Sequence, residues 1–286
     1  MNASVPAAGP MAEATSLYGV SGRRITMRDL GEATKRGELW PMITAYDALT
    51  ARIFDEAGIP ALLVGDSAAM VVYGHDSTLP VTVDELLPLV RAVVRGSSRS
   101  VVIADLPFGS YQASAAQALE TAAAFMKDAG AQAVKLEGGR PMLPQVEMLA
   151  SAGVPVIGHL GLTPQSVNLF GGYRVQGRGE AGEQLLRDAK EMEAAGACAV
   201  VLEVVPADLA MRVSEVLTIP TIGIGAGAGT DAQVIVWQDL LGLTDGPAPR
   251  FVKRYADIRS VMKDAVEHWG ADVRAGVYPG AEHSYN

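Results

Sequence analysis

Short apolar runs recur along this chain: PMITAY (41–46), ALLVGD (61–66), SVVIADL (100–106), AQAVKLE (131–137), VPVIGHL (154–160), CAVVLEV (198–204), PTIGIGA (220–226) and VIVWQDL (234–240). They are rich in β-branched residues, about the length of a strand, and continuous rather than alternating. Strands buried on both faces have this pattern, and those are parallel strands. The stretches between them carry a helical period. Ser114 to Gln117 reads as a capping box opening a helix with Leu119, Ala123 and Met126 on one face; Thr82 to Glu85 reads as another box. Leu185, Ala189 and Met192 mark a further apolar stripe. Ala57-Gly58, Ala129-Gly130, Ala152-Gly153 and Ala195-Gly196 each end a helical stretch just before a strand. Glycine permits the left-handed residue that closes a helix, so the four copies point to one repeated βα unit, although Ala-Gly is also common at helix ends.

Eight strands alternating with helices over roughly 250 residues predict an α/β fold, a (β/α)8 TIM barrel in a single domain. A doubly wound open sheet is the alternative, and only a short segment separates the eighth strand from the seventh. Residues 25–39 predict an N-terminal helix that lids one end. Residues 1–22, small and polar, predict a flexible N-terminal arm that adds nothing to the core, leaving 23–286 as the barrel catalytic domain.

Composition narrows the function classes. The 286 residues are 49% hydrophobic and 19% charged, which excludes a disordered chain. A net charge of −9 argues against nucleic acid or an anionic membrane face as the main partner. One cysteine suits a reducing compartment, no apolar run is long enough to span a bilayer, and the first twenty residues lack the basic and apolar regions of a secretory signal. The expectation is a cytoplasmic protein with no nucleic-acid and no membrane partner.

In a barrel of this kind the active site lies at the C-terminal ends of the strands. The residues ending the apolar runs are Tyr46-Asp47, Asp66-Ser67, Asp105, Lys135 with Glu137, His159, Glu203, Gly225 and Asp239. An unpaired buried carboxylate is costly, and several sharing one mouth repel one another unless a counter-charge is present. A divalent cation supplies that charge most simply. Oxygen ligands, with no thiolate and at most one imidazole, favour Mg2+ or Mn2+ over zinc. Each position also has a structural alternative: Asp66 as a helix cap, Asp105 as a turn residue before Pro107, Glu137 as a solvated loop charge, His159 as a hydrogen-bonded core histidine. Lys135 and Glu203, set within apolar runs, are harder to assign to packing. Cys198 reads as a small buried hydrophobe. The run Gly223 to Gly229 misses dinucleotide-loop spacing and is at best a weak anion site. Residues 158–178 predict a long loop at the active face, suited to a lid or a subunit contact.

The stretches ITAYD (43–47), VGDS (64–67), GHDSTLPVTV (74–83), ADLPF (104–108), VKLEGG (134–139), GHLGLTPQSVN (158–168), FGGYRVQGRG (170–179), LEVVP (202–206), IGIGAG (222–227) and GVYPGAEHS (276–284) strongly resemble the ketopantoate hydroxymethyltransferase family, from about residue 25 to 286. Ala68-Ala69 and Tyr73 depart from the family's usual residues but touch no candidate ligand. The resemblance implies a Mg2+-dependent barrel enzyme, with one Mg2+ per subunit, acting early in pantothenate and coenzyme A synthesis. It would move a hydroxymethyl (one-carbon) unit from its co-substrate 5,10-methylenetetrahydrofolate to 3-methyl-2-oxobutanoate, giving 2-dehydropantoate. It implies Asp66, Asp105 and Glu137 around the metal, directly or through water. Asp66, Ser67, Asp105 and Lys135 are then the substrate-binding residues, and Glu203 is the proton acceptor. It also implies a homo-oligomer, commonly a decamer. In this scheme the metal stabilises an enolate formed when Glu203 removes a proton from carbon 3. Two other readings stand beside it: a Mg2+-dependent carbon–carbon lyase or mutase of 2-oxo acids, for which Cys198 is misplaced as a lid cysteine, and a nucleotide- or anion-binding module built on the 223–229 glycines.

Overall fold

Continuous apolar strands need cover on both faces, and closing them into a ring provides it. The computed structural model describes residues 16–19 and 22–285. Among them eight parallel strands run in sequence order: β1 (Trp40–Thr44), β2 (Ala61–Val64), β3 (Val101–Asp105), β4 (Ala133–Glu137), β5 (Val156–Gly161), β6 (Ala199–Glu203), β7 (Thr221–Ile224) and β8 (Ala232–Ile235). Each pairs with the next, and β8 returns to β1 with Met42 opposite Val234, so the barrel is closed and the open-sheet alternative falls. The first seven strands begin and end within two residues of the apolar runs at most. The eighth is shifted. Its run was expected over 234–240, but the strand starts at Ala232 and the chain turns after Val236, where the Trp237 backbone N–H donates to Thr44 Oγ1 of β1 at 3.0 Å. Trp237–Leu240 is a short helix. No helix separates β7 from β8; the glycine run crosses there, with Gly227 and Gly229 lying where a side chain would strike Ala207 and Met211. Its glycines therefore serve close packing against the helix Ala207–Val216.

Strand side chains alternate between barrel interior and helix layer. Ile43, Leu62, Val102, Val134, Val156 and Val200 join the larger apolar cluster under the helices. Their neighbours Met42, Leu63, Ile103, Ala133, Ile157 and Val201 fill the barrel. Its N-terminal end is closed by the helix Met27–Lys35, whose Met27, Leu30 and Ala33 belong to the interior cluster, so the expected lid helix is present, shorter than 25–39. Of the expected arm, residues 1–15, 20 and 21 lie outside the described residues. Within it Leu17 is 1% exposed and packs in the same interior cluster, and its backbone N–H donates to Glu38, so this part of 1–22 does contribute to a core.

The helix signals hold with one rotation. Thr82 and Glu85 form a reciprocal capping box; Ser114 caps Gln117 N–H, while the Gln117 side chain reaches Ala113 N–H instead of the cap residue. In the helix Ala115–Lys127 the buried stripe is Ala118, Ala122 and Phe125, one residue from the predicted face; Leu119 and Met126 pack at its margin. Leu185, Ala189 and Met192 are buried as expected. All four Ala-Gly pairs place glycine at positive φ, between 82° and 99°. Among the described residues no helix is long and apolar enough to cross a membrane.

The last residue of the helix Val83–Gly96 abuts the start of the helix Ala48–Glu56, and a Cβ on Gly96 would stand 2.3 Å from Ala48 O. Gly96→Ala is expected to destabilise the fold by about 1–3 kcal/mol, the usual cost of overpacking, read as a lower midpoint in thermal unfolding.

Candidate active site

Toward the C-terminal ends of the strands, the inward positions change from apolar to ionisable. Ile103 is followed by Asp105, Ala133 by Lys135 and Glu137, Ile157 by His159, and Val201 by Glu203, each two residues further along its strand. The barrel thus carries its site on the period-2 face that fills its core. Parallel register sets Asp105 opposite Lys135 and Glu137 opposite His159. Asp66 and Ser67 join them from the turn after β2. Together they line a cavity of about 500 Å3. Asp66, Asp105, Lys135, Glu137 and His159 are buried, and the Glu203 side chain is 17% exposed.

The contacts form one network. Lys135 Nζ lies 2.8 Å from Asp105 Oδ1 and 3.8 Å from Glu137 Oε1. Asp105 Oδ2 accepts the Asp66 backbone N–H at 3.0 Å. The His159 ring stands between two carboxylates, with Nδ1 3.3 Å from Glu137 Oε1 and Nε2 3.2 Å from Glu203 Oε2. Ser67 Oγ shares a 2.8 Å hydrogen bond with Tyr46 OH. Of the apolar residues that flank Glu203, Leu202 packs under the helices and Val204 lines the cavity, while His159 stands 3.2 Å from the carboxylate. Val204 has φ +47°, a genuine strain for a β-branched residue. It is held by Val204 N–H donating to Ile224 O at 2.8 Å and by Val204 O accepting Gln176 N–H at 3.0 Å. Gly161, opposite Glu203, has φ +95°, and a Cβ there would sit 2.3 Å from Glu203 O.

Deep in this cavity four carboxylates, Asp66, Asp105, Glu137 and Glu203, meet one ammonium and one imidazole, while the half-buried Asp239 and the exposed Arg250 lie at its rim. Burial, then the charges of Asp105 and Glu137, push Asp66 well above the ordinary carboxylate range. Burial also raises Asp105, against the pull of Lys135. Burial alone would raise Glu137, but His159, Lys135 and the Gln165 N–H outweigh it and hold Glu137 low. Burial opposes the Lys135 charge, yet Asp105, Glu137 and Asp66 keep it above its usual value. Burial and Lys135 press His159 down, while its contacts to Glu137 and Glu203 lift it to about 9. The site therefore carries surplus buried negative charge, which is neutralised by bound protons or by a cation.

The donor set is all oxygen, which suits a hard divalent ion. Among the described residues no three His, Cys, Asp or Glu side chains are preassembled to hold a metal. Both Glu137 oxygens are engaged, Oε1 toward Lys135 and His159 and Oε2 by the Gln165 backbone N–H at 2.9 Å. Asp105 is likewise engaged at both oxygens, Oδ1 by Lys135 and Oδ2 by the Asp66 backbone N–H, whereas the Asp66 carboxylate accepts only from Gln165 among the described residues. This fits an ion of the Mg2+ type, which takes one or two carboxylates and completes its shell with water and substrate oxygens.

Other sequence candidates lie elsewhere. Asp47 caps the helix Ala48–Glu56 by accepting Leu49 and Thr50 N–H groups. Asp239, on the short helix after β8, lines the cavity rim and accepts from Thr244 Oγ1 at 2.7 Å. Cys198 precedes β6 at the opposite end of the barrel; its Sγ donates to Val156 O at 3.2 Å, and burial pushes the thiol up to about 12. Residues 158–178 include the end of β5 and then wall the cavity with Leu162, Pro164 and Tyr173. Gln165 in this loop was not anticipated: its Nε2 donates to Asp66 Oδ2 at 2.8 Å. No periodicity marks it, because it sits on an irregular turn. His159, left open in the sequence, had a usable signal in its inward position two residues after Ile157.

A profile of the family described as ketopantoate hydroxymethyltransferase matches residues 24–281. A Frankia casuarinae protein named 3-methyl-2-oxobutanoate hydroxymethyltransferase is 63% identical over 280 residues, covering 98% of this chain and 95% of its own. A Thermobifida fusca protein of the same name is 62% identical over 274 residues, covering 95% and 98%. Among solved structures, a 2,3-dimethylmalate lyase, described as a member of the PEP mutase/isocitrate lyase superfamily, is similar in fold, with a TM-score of 0.57 and 17% identity over 91% of each chain.

The His159 environment sets a pH dependence. With a folded value near 9 against an ordinary 6.5, its stabilising contribution is complete below pH 6.5 and is lost as the pH rises through 9. In metal-free protein the thermal midpoint is expected to fall across that window, and His159→Gln is expected to flatten the fall; unfolding scans of both proteins at stepped pH check this.

Proposed function

The chain belongs to the ketopantoate hydroxymethyltransferase family, and on that footing we propose that it transfers a hydroxymethyl unit from 5,10-methylenetetrahydrofolate to 3-methyl-2-oxobutanoate, giving 2-dehydropantoate for pantothenate synthesis. The observation that carries this reading is the convergence of Asp66, Asp105, Lys135, Glu137 and Glu203 on one buried cavity at the C-terminal end of the barrel. A cytoplasmic location and a decameric assembly belong to the same proposal and rest on the family resemblance.

Asp66 and Asp105 would hold one Mg2+ ion, with Glu137 behind them. When bound, the ion supplies Lewis-acid stabilisation of negative charge on the keto oxygen. Lys135, held by Asp105, sets a fixed positive charge beside the carboxylate end of the keto acid. Ser67, oriented by Tyr46, offers a hydroxyl to the same end. Leu162, Ile224, Val234 and Phe251 line the rest of the cavity and suit the branched carbon skeleton. Glu203 is the general base. Its Oε2 is held beside His159, so Oε1 is left to take the proton from carbon 3. Water hydrolyses the methylene bridge of the folate, releasing tetrahydrofolate and formaldehyde; carbon 3 then attacks the formaldehyde carbon, and the resulting alkoxide takes up a proton to become the hydroxyl of the product.

Three substitutions test this. Glu203→Gln is expected to keep Mn2+ and keto-acid binding while slowing deuterium exchange at carbon 3 by about 10²–10⁴-fold, followed by NMR without folate; exchange at the wild-type rate removes Glu203 from the role. Asp66→Ala and Asp105→Ala are each expected to weaken binding in Mn2+ titrations, and an unchanged isotherm removes that residue from the ligand set.

A further inference from the structure

Gln165 is a buried polar side chain whose hydrogen bonds join several strand ends. It is 6% exposed and lies on the turn after β5, yet its contacts reach the loops after β2 and β3 and the end of β4. The backbone N–H donates to Glu137 Oε2 at 2.9 Å. The side-chain Nε2 donates to Asp66 Oδ2 at 2.8 Å and to Leu106 O at 3.0 Å. Oε1 accepts from Tyr111 OH at 2.7 Å and from Gln112 Nε2 at 3.1 Å. The amide makes every hydrogen bond its two ends can make. Its orientation is dictated by its partners. Turned over, Oε1 would face two acceptors, the Asp66 carboxylate and the Leu106 carbonyl, and Nε2 would face the Gln112 amide nitrogen.

Tyr111 fixes this arrangement from behind. Its hydroxyl accepts the Glu137 backbone N–H at 3.0 Å, and its one proton has two acceptors in reach, Gln165 Oε1 at 2.7 Å and Glu137 O at 3.1 Å, of which the amide oxygen is the nearer. One residue thus restrains two of the three proposed cation-site carboxylates, Asp66 from the turn after β2 and Glu137 from β4. It does so from a loop that also supplies cavity wall at Leu162, Pro164 and Tyr173.

We propose that Gln165 is a positioning residue for the cation site: it holds the Asp66 carboxylate by one oxygen so that the other stays turned to the ion, and it fixes Glu137 behind it. The proposal rests on the metal reading given above. Asp66 has no other side-chain hydrogen-bond donor among the described residues, so without the amide nothing sets the rotation of its carboxylate. Groups that orient metal ligands in this way are typically worth about 10–100-fold in metal affinity.

The test uses the full-length, metal-free protein and Mn2+ alone, titrated by calorimetry. Gln165→Met keeps the length and volume of the side chain and removes its donors and acceptor. The expected result is wild-type protein that binds Mn2+ and a Gln165→Met protein that binds it about 10–100-fold more weakly, with an unchanged far-ultraviolet dichroism spectrum. Carbon-3 exchange in the variant is expected to recover as Mn2+ is raised, which a general loss of packing would not allow. Equal Mn2+ affinity in the two proteins overturns the positioning role and leaves the metal reading intact. Absence of Mn2+ binding in the wild type overturns the metal reading, and the role with it. Should Gln165→Met fail to fold, Tyr111→Phe decides by the same titration: it keeps the amide but removes the hydroxyl that orients it, so weaker Mn2+ binding supports the role and wild-type binding overturns it.

Discussion

The constraint on which the site depends is the burial of more negative than positive charge at one end of the barrel. Asp66, Asp105, Glu137 and Glu203 share their cavity with Lys135 and His159. In water such a group of carboxylates is easily tolerated; in a low-dielectric interior each unpaired one is costly. Lys135 holds Asp105 and lies near Glu137, and His159 spans Glu137 and Glu203, so each cationic group serves two carboxylates. Asp66 is the member with no cationic side chain in ion-pair contact, and it is the one pushed furthest toward its protonated form. In the proposed chemistry a bound divalent ion would replace that proton.

The fold makes this arrangement tolerable by keeping it short. Only the last inward positions of β3 to β6 are ionisable, and below them Met42, Leu63, Ile103 and Val201 fill the barrel down to the helix Met27–Lys35. The apolar layers pack beneath the strand ends that carry the charged layer, the kind of support that electrostatic preorganisation requires. The strain at Val204 and the close approach of Gly161 to Glu203 O fall at the top of β5 and β6, where the proposed base is set.

Much of the site was legible because it lies on strands. A residue such as Lys135 or Glu203 inside an apolar run is conspicuous, and its position fixes both its face and its height in the barrel. Asp47 ends an apolar run as the site acids do, because a helix cap and a strand-end ligand share the same local signature; only the structure shows that it caps the helix Ala48–Glu56. The eighth strand was placed too late because Val234 to Leu240 is apolar enough for a strand, and only the hydrogen bond from Trp237 N–H to Thr44, 193 residues away, turns the chain aside. The buried stripe of the helix Ala115–Lys127 was off by one residue because an alanine-rich helix offers little contrast between its faces.

By itself the sequence determined the succession of parallel strands, the barrel they form, and which acids and which lysine stand at or just beyond strand ends, since these follow from local periodicity and from the cost of burying charge. The tertiary structure alone decided who touches whom. His159 became the bridge between Glu137 and Glu203, and Gln165 the partner of Asp66, 99 residues distant, because ring closure brings the ends of separate strands and loops within hydrogen-bonding distance. No local pattern encodes such a contact. It is fixed by register between neighbouring strands and by the need of each buried polar atom for a partner.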